Sequence, residues 1–224
     1  VPASVHITKQ FDHAARDVLA DGGRVLLLTH GRSYENAGKA EFFSVFWSAG
    51  WWGNQLSSLG ILCNPAHPAL AEFPNAGHSD WQWQQLTHGA TTFDLTVACP
   101  GLTPIVQPVT DFHHNRRLGQ VFECRVGKGR LLVCGYDVES NLAERHAARQ
   151  FRNSLLAFMG GDAFAPAYQV DSEKLTRFFG HYELGALKAD VVSCSSEAKG
   201  YEAANVLDGN PGTMWHTPWS GNVP

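Results

Sequence analysis

The sequence predicts an α/β protein: a three-layer domain built on a parallel sheet, followed by an incomplete β-sandwich segment. Three observations carry this. Strand and helix signals alternate through the first 160 residues. Within them "RVLLLTHG" (Arg24–Gly31) is a continuous apolar run of the kind buried on both faces of a parallel sheet. From "VVSCSSEAKGYEAANVLDGNPGTMWHTPWSGNVP" (Val191–Pro224) onward the chain turns to Ser, Gly, Asn and Trp in short extended pieces, as a sandwich does.

In order along the chain, "SVHIT" (Ser4–Thr8) reads as a strand. Phe11, Ala15, Val18 and Leu19 then recur at helical spacing until "DGG" (Asp21–Gly23) stops the helix, and Arg24–Gly31 completes a strand–helix–strand crossover. "LGILCN" (Leu59–Asn64), "TPIVQPV" (Thr103–Val109), "QVFECRV" (Gln120–Val126) and "RLLVCGYD" (Arg130–Asp137) are further strands. The last two join across "GKG" (Gly127–Gly129), where glycine can supply positive φ. Asn141 and Glu144 then form a capping box, Ala147, Phe151, Leu155 and Phe158 make the apolar stripe of a helix, and Gly160–Gly161 ends it. This alternation predicts a flavodoxin-like domain over residues 1–165. Residues 166–189 read as a linker packed on that domain, with one short helix capped by Asp171 or Ser172, and residues 190–224 as the sandwich portion.

Composition narrows function. The 224 residues are 44% hydrophobic and 17% charged, enough for one full core and part of a second. A net charge of −4 with no Lys/Arg run argues against nucleic acid or an anionic membrane as partner. No apolar run approaches the length of a membrane span, and "VPASVHITKQ" has no signal-peptide pattern. It also lacks an initiator Met, which suggests a piece of something longer. Cys63, Cys99, Cys124, Cys134 and Cys194 are odd in number, without C-x-x-C spacing, and mostly sit in apolar runs as small hydrophobes. The histidines, including "DFHHN" (Asp111–Asn115) and the pair His67/His78, show no zinc-binding spacing on a helix, and no phosphate-cradling glycine loop that would hold FMN appears.

The run "DGNPGT" places Asp208, Asn210 and Thr213 on one tight turn, where oxygen donors can converge on a hard cation; a plain Asp-Gly hairpin turn is the alternative. Its surroundings, "SSEAKGYEAANVLDGNPGTMWHT", resemble the first third of a coagulation factor 5/8 type C (discoidin, galactose-binding-like) domain. That resemblance implies a structural calcium held by the Asp208 and Thr213 side chains and the Asn205 and Asn210 carbonyls. Such domains run to roughly 130–150 residues, a common domain size. The expectation is therefore an incomplete module with no intact sugar site and weak or absent calcium affinity.

"GILCNPAHPALAEFPNAGHSDWQWQQL" (Gly60–Leu86), "LGQVFECRVGKGRLLVCGYDV" (Leu118–Val138) and "ARQFRNSLLAFM" (Ala148–Met159) resemble a non-catalytic, flavodoxin-like, class I glutamine amidotransferase-like domain. Such domains lie toward the C-terminus of large bacterial glycoside hydrolases, including relatives of family 2 β-galactosidases, often just before a discoidin-like module. The resemblance implies a secreted or periplasmic parent enzyme acting on carbohydrate, and an accessory role here with no cofactor in the α/β domain. The partners would be other modules of that parent, a glycan, or a second copy of the chain in a homo-oligomer.

Amidotransferase chemistry needs a Cys on a strained strand-to-helix elbow with small flanking residues. Cys63 in "GILCNPAHP" is followed by Asn64–Pro65 instead, and "HGRSYENAG" (His30–Gly38) carries no oxyanion signature. The Asn-Glu pair of family 2 glycosidases does not occur. Trp47, Trp51, Trp52, Trp81 and Trp83 remain as candidates for stacking on a sugar ring, with docking against another module as the favoured use, since the polar partners a sugar needs are not evident. Three roles follow: module-organising domain, carbohydrate-binding accessory domain, and degenerate amidotransferase-like enzyme.

Overall fold

The structure, a computed structural model, describes residues 5–32, 34, 37–39, 58, 60–110, 115–179, 190–207 and 213–218. The chain falls into two compact units, Val1–Phe179 and Gly180–Pro224. No described helix is long and apolar enough to cross a membrane.

The first unit is a mixed α/β domain. β1 (Val5–Thr8) and β2 (Arg24–Leu28) are parallel neighbours joined by α1 (His13–Ala20), as expected. The Asp12 carboxylate caps α1 by accepting from the Ala15 N–H, which satisfies one of the free donors of the first turn, and Ala15 and Leu19 turn inward. β3 (Ala37–Lys39) and β4 (Gly60–Cys63) follow, then α2 (Trp81–Thr87), β5 (Thr91–Asp94), α3 (Leu95–Ala98), β6 (Val106–Val109) and β7 (Leu118–Gly119). β8 (Val121–Val126) and β9 (Gly129–Cys134) form the expected hairpin, with Gly127 at φ 57 in the first central position of its two-residue turn.

The main sheet runs β1-β2-β9-β8-β6-β4. Only part of it is the parallel sheet the sequence predicts. β1, β2 and β9 are parallel, whereas β8, β6 and β4 pair antiparallel. The hairpin is the physical reason: a two-residue turn can join only antiparallel strands, so the sheet changes sense at β9–β8. β3, β5 and β7 make a separate small antiparallel sheet that the sequence did not foretell.

Side chains alternate between two buried faces. Val25, Leu27, Phe122, Cys124, Leu131 and Val133 share one core with α1, with Leu95 of α3, and with Leu175, Phe178 and Phe179. Leu26, Leu28, Leu132 and Cys134 share the other with α2, a 3-10 turn at Pro68–Leu70 and a long helix, α4 (His146–Gly160). Helices therefore cover both faces of the strands, and Cys124 and Cys134 serve as small apolar fillers.

Helix α4 ends at Gly160 and buries Phe151, Leu155 and Phe158 as its stripe predicts, but it begins at His146 rather than after Asn141. The expected capping box is replaced by a loop. Asp137 Oδ1 accepts from the Glu139 and Ser140 N–H groups, Asn141 sits at φ 48, and Arg145 pairs with Asp137 at 2.9 Å. The segment read as a linker adds β10 (Gln169–Val170), parallel to the end of β8, and α5 (Ser172–Phe179) to the first unit. Asp171, not Ser172, caps α5, accepting from the Glu173 and Lys174 N–H groups.

In the second unit the described residues form a 3-10 turn, Ala203–Val206, and short extended pieces rather than a strand ladder. The Ala198 N–H donates to the His216 carbonyl, the His216 N–H to the Tyr201 carbonyl, and the Trp215 indole to the Ser196 carbonyl.

Candidate functional site

The loops leaving the carboxyl ends of the parallel strands go opposite ways. β1 leads to α1 on one face, and β9 leads to α4 on the other. Diverging connections of this kind open a crevice at the strand ends, the usual ligand position in open α/β sheets. The exit of β2, Thr29 to Arg32, lies in it.

A buried polar network forms the floor. The Thr29 N–H donates to the Cys134 carbonyl, the Gly135 N–H to the Gln120 carbonyl, and the Thr91 N–H to the Gly135 carbonyl. The Thr91 hydroxyl donates to the Thr29 carbonyl at 2.8 Å, the Tyr136 hydroxyl to Gln120 Oε1 at 2.8 Å, and Gln120 Nε2 to Thr92 Oγ1 at 3.0 Å. Burial pushes the Tyr136 hydroxyl well up, so it stays protonated and keeps donating. Such a satisfied network holds the strand exits in one geometry.

Above the floor His30, Arg32, Tyr34, His88 and Thr91 line a pocket of about 390 Å³, its remaining walls built from Gly31, Ala37, Gly38 and Gly89. Burial raises the Tyr34 hydroxyl, and the neighbouring Arg32 pulls the other way. The Tyr34 ring packs on Phe93 at 5.1 Å between centroids, which anchors this wall to the core. His30 also edges a smaller recess of about 60 Å³ with Lys9, Asp137 and Glu139. The charges there are matched, Lys9 with Glu139 and Arg145 with Asp137, both at 2.9 Å. Burial pushes the Asp137 carboxyl up, but N–H groups of Ser140 and Glu139, with Arg145, outweigh it and hold the group below its ordinary range.

Cys63 lies elsewhere, at the end of the edge strand β4. Its thiol donates to Asn75 Oδ1 at 3.2 Å, and Asn75 is itself fixed by the Phe73 carbonyl and the Gly77 N–H. Burial, with Asp80 nearby, pushes the thiol up to about 11. Thiolate is the reactive form, so this cysteine is poorly disposed to nucleophilic attack near neutral pH.

Of the proposed stacking residues, Trp47, Trp51 and Trp52 lie outside the described residues. Trp81 is 85% exposed at the first turn of α2. Trp83 is 0% exposed and presents no face to a sugar, which corrects its assignment: it packs against Phe73 and Phe151 with centroids 5.1 and 5.9 Å away. Of the calcium turn, Asp208 and Asn210 lie outside the described residues. The Asn205 amide donates to the Met214 carbonyl at 3.1 Å. Among the described residues no group of three or more His, Cys, Asp or Glu could hold a metal.

One buried carboxyl stands apart from the crevice. Glu123 on β8 faces His67, Oε1 to Nε2 at 3.9 Å, and its Oε2 is buried with no hydrogen-bond partner among the described residues. His67 Nδ1 accepts from the Ala69 N–H, so neutral His67 carries its proton on Nε2, and burial lowers its affinity for a second. Burial pushes Glu123 from 4.5 to about 7. A raised carboxyl binds its proton more tightly in the folded chain, so its contribution is intact below about pH 4.5 and is lost as pH rises through about 7. Glu123→Gln should therefore match the parent near pH 4 and exceed it near pH 8, by on the order of 1–2 kcal/mol once solvent screening is allowed for. Urea midpoints at the two pH values test this, and an equal effect at both would refute it.

The sequence reading missed His30, Arg32, His88 and Thr91 as a group. The available signal was positional: "THGR" is the exit of a buried parallel strand, where ligand crevices form.

Fold and crevice together define a mixed α/β domain with helices on both faces of its main sheet and a polar recess at the ends of its parallel strands. Residues 6–180 match the family model described as Domain of unknown function (DUF8487), and the chain belongs to that family. Among curated proteins none matches the chain.

Proposed function

We propose that the chain is a non-catalytic, module-organising part of a carbohydrate-active glycoside hydrolase, with a flavodoxin-like, amidotransferase-like first unit and the start of a factor 5/8 type C module after it. The motif resemblances supply the parent class. The observation that carries the non-catalytic role is the setting of Cys63: on an antiparallel edge strand, bound to Asn75, with its thiol pushed up to about 11. An amidotransferase nucleophile needs a strained elbow and a depressed thiol pKa. The division into two compact units agrees with modular organisation.

The test is thiol reactivity in a Cys194→Ser background, since Cys194 is exposed and would dominate the signal. Cys63 should react slowly at neutral pH, with a rate that climbs toward about pH 11, and Cys63→Ser should leave folding unchanged. Fast, selective labelling of Cys63 at neutral pH, or glutamine hydrolysis that Cys63→Ser abolishes, would overturn the proposal.

A further inference from the structure

We infer that the recess between α3 and α5 binds a short aliphatic carboxylate, its chain in the recess and its charge at the rim. This goes beyond the module-organising role and does not depend on it. Ala98 and Cys99 at the end of α3 and Leu175 and Phe178 of α5 line a cavity of about 170 Å³, with Lys174 and Arg177 beside them. Cys99, Leu175 and Phe178 are buried while both cationic residues are exposed, so the surface turns from apolar to positive within one helical turn. The register of α5 produces this: Leu175 and Phe178 are three apart on one face, and Lys174 and Arg177 three apart on the face beside it. Neither cation forms an ion pair among the described residues. The Asp171 carboxylate is taken up by the cap of α5, and Glu173, one turn before Arg177, does not pair with it. The Lys174 charge is felt inside the recess: burial pushes the Cys99 thiol up, and Lys174 draws it back. A carboxylate at the same mouth gains from that charge in the same way, and the Arg177 fork adds paired donors. Volume sets the length of the tail. At roughly 30 Å³ per heavy atom, the share of one water molecule, the recess takes about five carbons, far short of an ordinary drug-sized ligand.

The test is titration of the whole chain with hexanoate, hexanamide and acetate at matched ionic strength, followed by ligand-observed nuclear magnetic resonance, which suits weak binders. Hexanoate should bind saturably with a Kd of about 1–10 mM, within the range open to so few heavy atoms. Hexanamide keeps the tail without the charge, and acetate keeps the charge without the tail; each should bind about tenfold more weakly. Lys174→Gln with Arg177→Gln should bring hexanoate down to the level of hexanamide. Both side chains are exposed, so this double variant folds as the parent does. Ala98→Leu fills the recess and leaves both charges in place, and it should abolish hexanoate binding with an unchanged far-ultraviolet circular dichroism spectrum. No saturable hexanoate binding by about 50 mM, hexanamide or acetate binding as well as hexanoate, or hexanoate affinity undiminished in the double variant would each overturn the inference.

Discussion

Trp83→Ala should lower unfolding free energy by about 3–5 kcal/mol, the range for removing a fully buried large aromatic side chain. Trp83 joins a cluster in which Phe73, Tyr136 and Phe151 also meet, with Phe73–Phe151 centroids at 5.0 Å and Tyr136–Phe151 at 5.5 Å. The four rings tie α2 and the loop before it to α4 and to the residue that floors the crevice. Among the described residues the indole N–H has no hydrogen-bond partner, and the ring is packed by apolar neighbours. Trp83→Phe should then cost less than half as much, because it leaves a smaller cavity and removes an unpaired donor. Urea unfolding followed by far-ultraviolet circular dichroism measures both. A Trp83→Ala cost under about 1 kcal/mol would show that the cluster is not the core of that face.

How the sequence reads and how the chain folds diverge at identifiable places. The β1–α1–β2 crossover was legible because a helical stripe stands between two apolar runs and "DGG" closes the helix. Sheet direction was not. Apolar character on both sides of a strand reports that both faces are covered, and β8 is covered on both faces while running antiparallel: Val121 points to one core, Phe122 and Cys124 to the other. The "GKG" turn held the correct information about sense, since a hairpin of that length forbids a parallel pair. At Asn141 two local signals competed. The spacing to Glu144 suits a capping box, but Asp137 takes the neighbouring N–H groups and draws Arg145 back to itself, so the helix starts later.

The candidate site was less legible because its parts come from separate stretches. His30 and Arg32 follow β2, whereas His88 follows α2 and Thr91 opens β5. No motif spacing records that meeting. The tryptophans offered a better chance: residues two apart on a helix point roughly 200° apart, so Trp81 and Trp83 could not share a face once α2 was recognised. The short "WQWQQL" run hid the helix, having too few apolar positions to show a period.

Gly135→Ala should be among the most damaging single-methyl additions to the first unit, at about 3 kcal/mol or more. Gly135 stands where β9 leaves the sheet, its N–H donating to the Gln120 carbonyl at 2.7 Å and its carbonyl accepting from Thr91 at 2.9 Å. A Cβ here would overlap the Thr91 carbonyl oxygen and approach the Gln120 carbonyl at 3.2 Å. Both neighbours are backbone, so no flexible side-chain end can swing away and the strands themselves must part. Parting them displaces Thr91, breaks its hydroxyl bond to Thr29, and takes the floor from under His30 and Arg32. Gly127→Ala supplies the comparison. That glycine has φ 57 with open space where a Cβ would go, so its replacement costs only the left-handed backbone penalty of about 1–2 kcal/mol and leaves the pocket alone. Urea unfolding of both variants separates the two mechanisms. If Gly135→Ala costs no more than Gly127→Ala, the close approach of Gly135 to Thr91 does not hold the strand exits together.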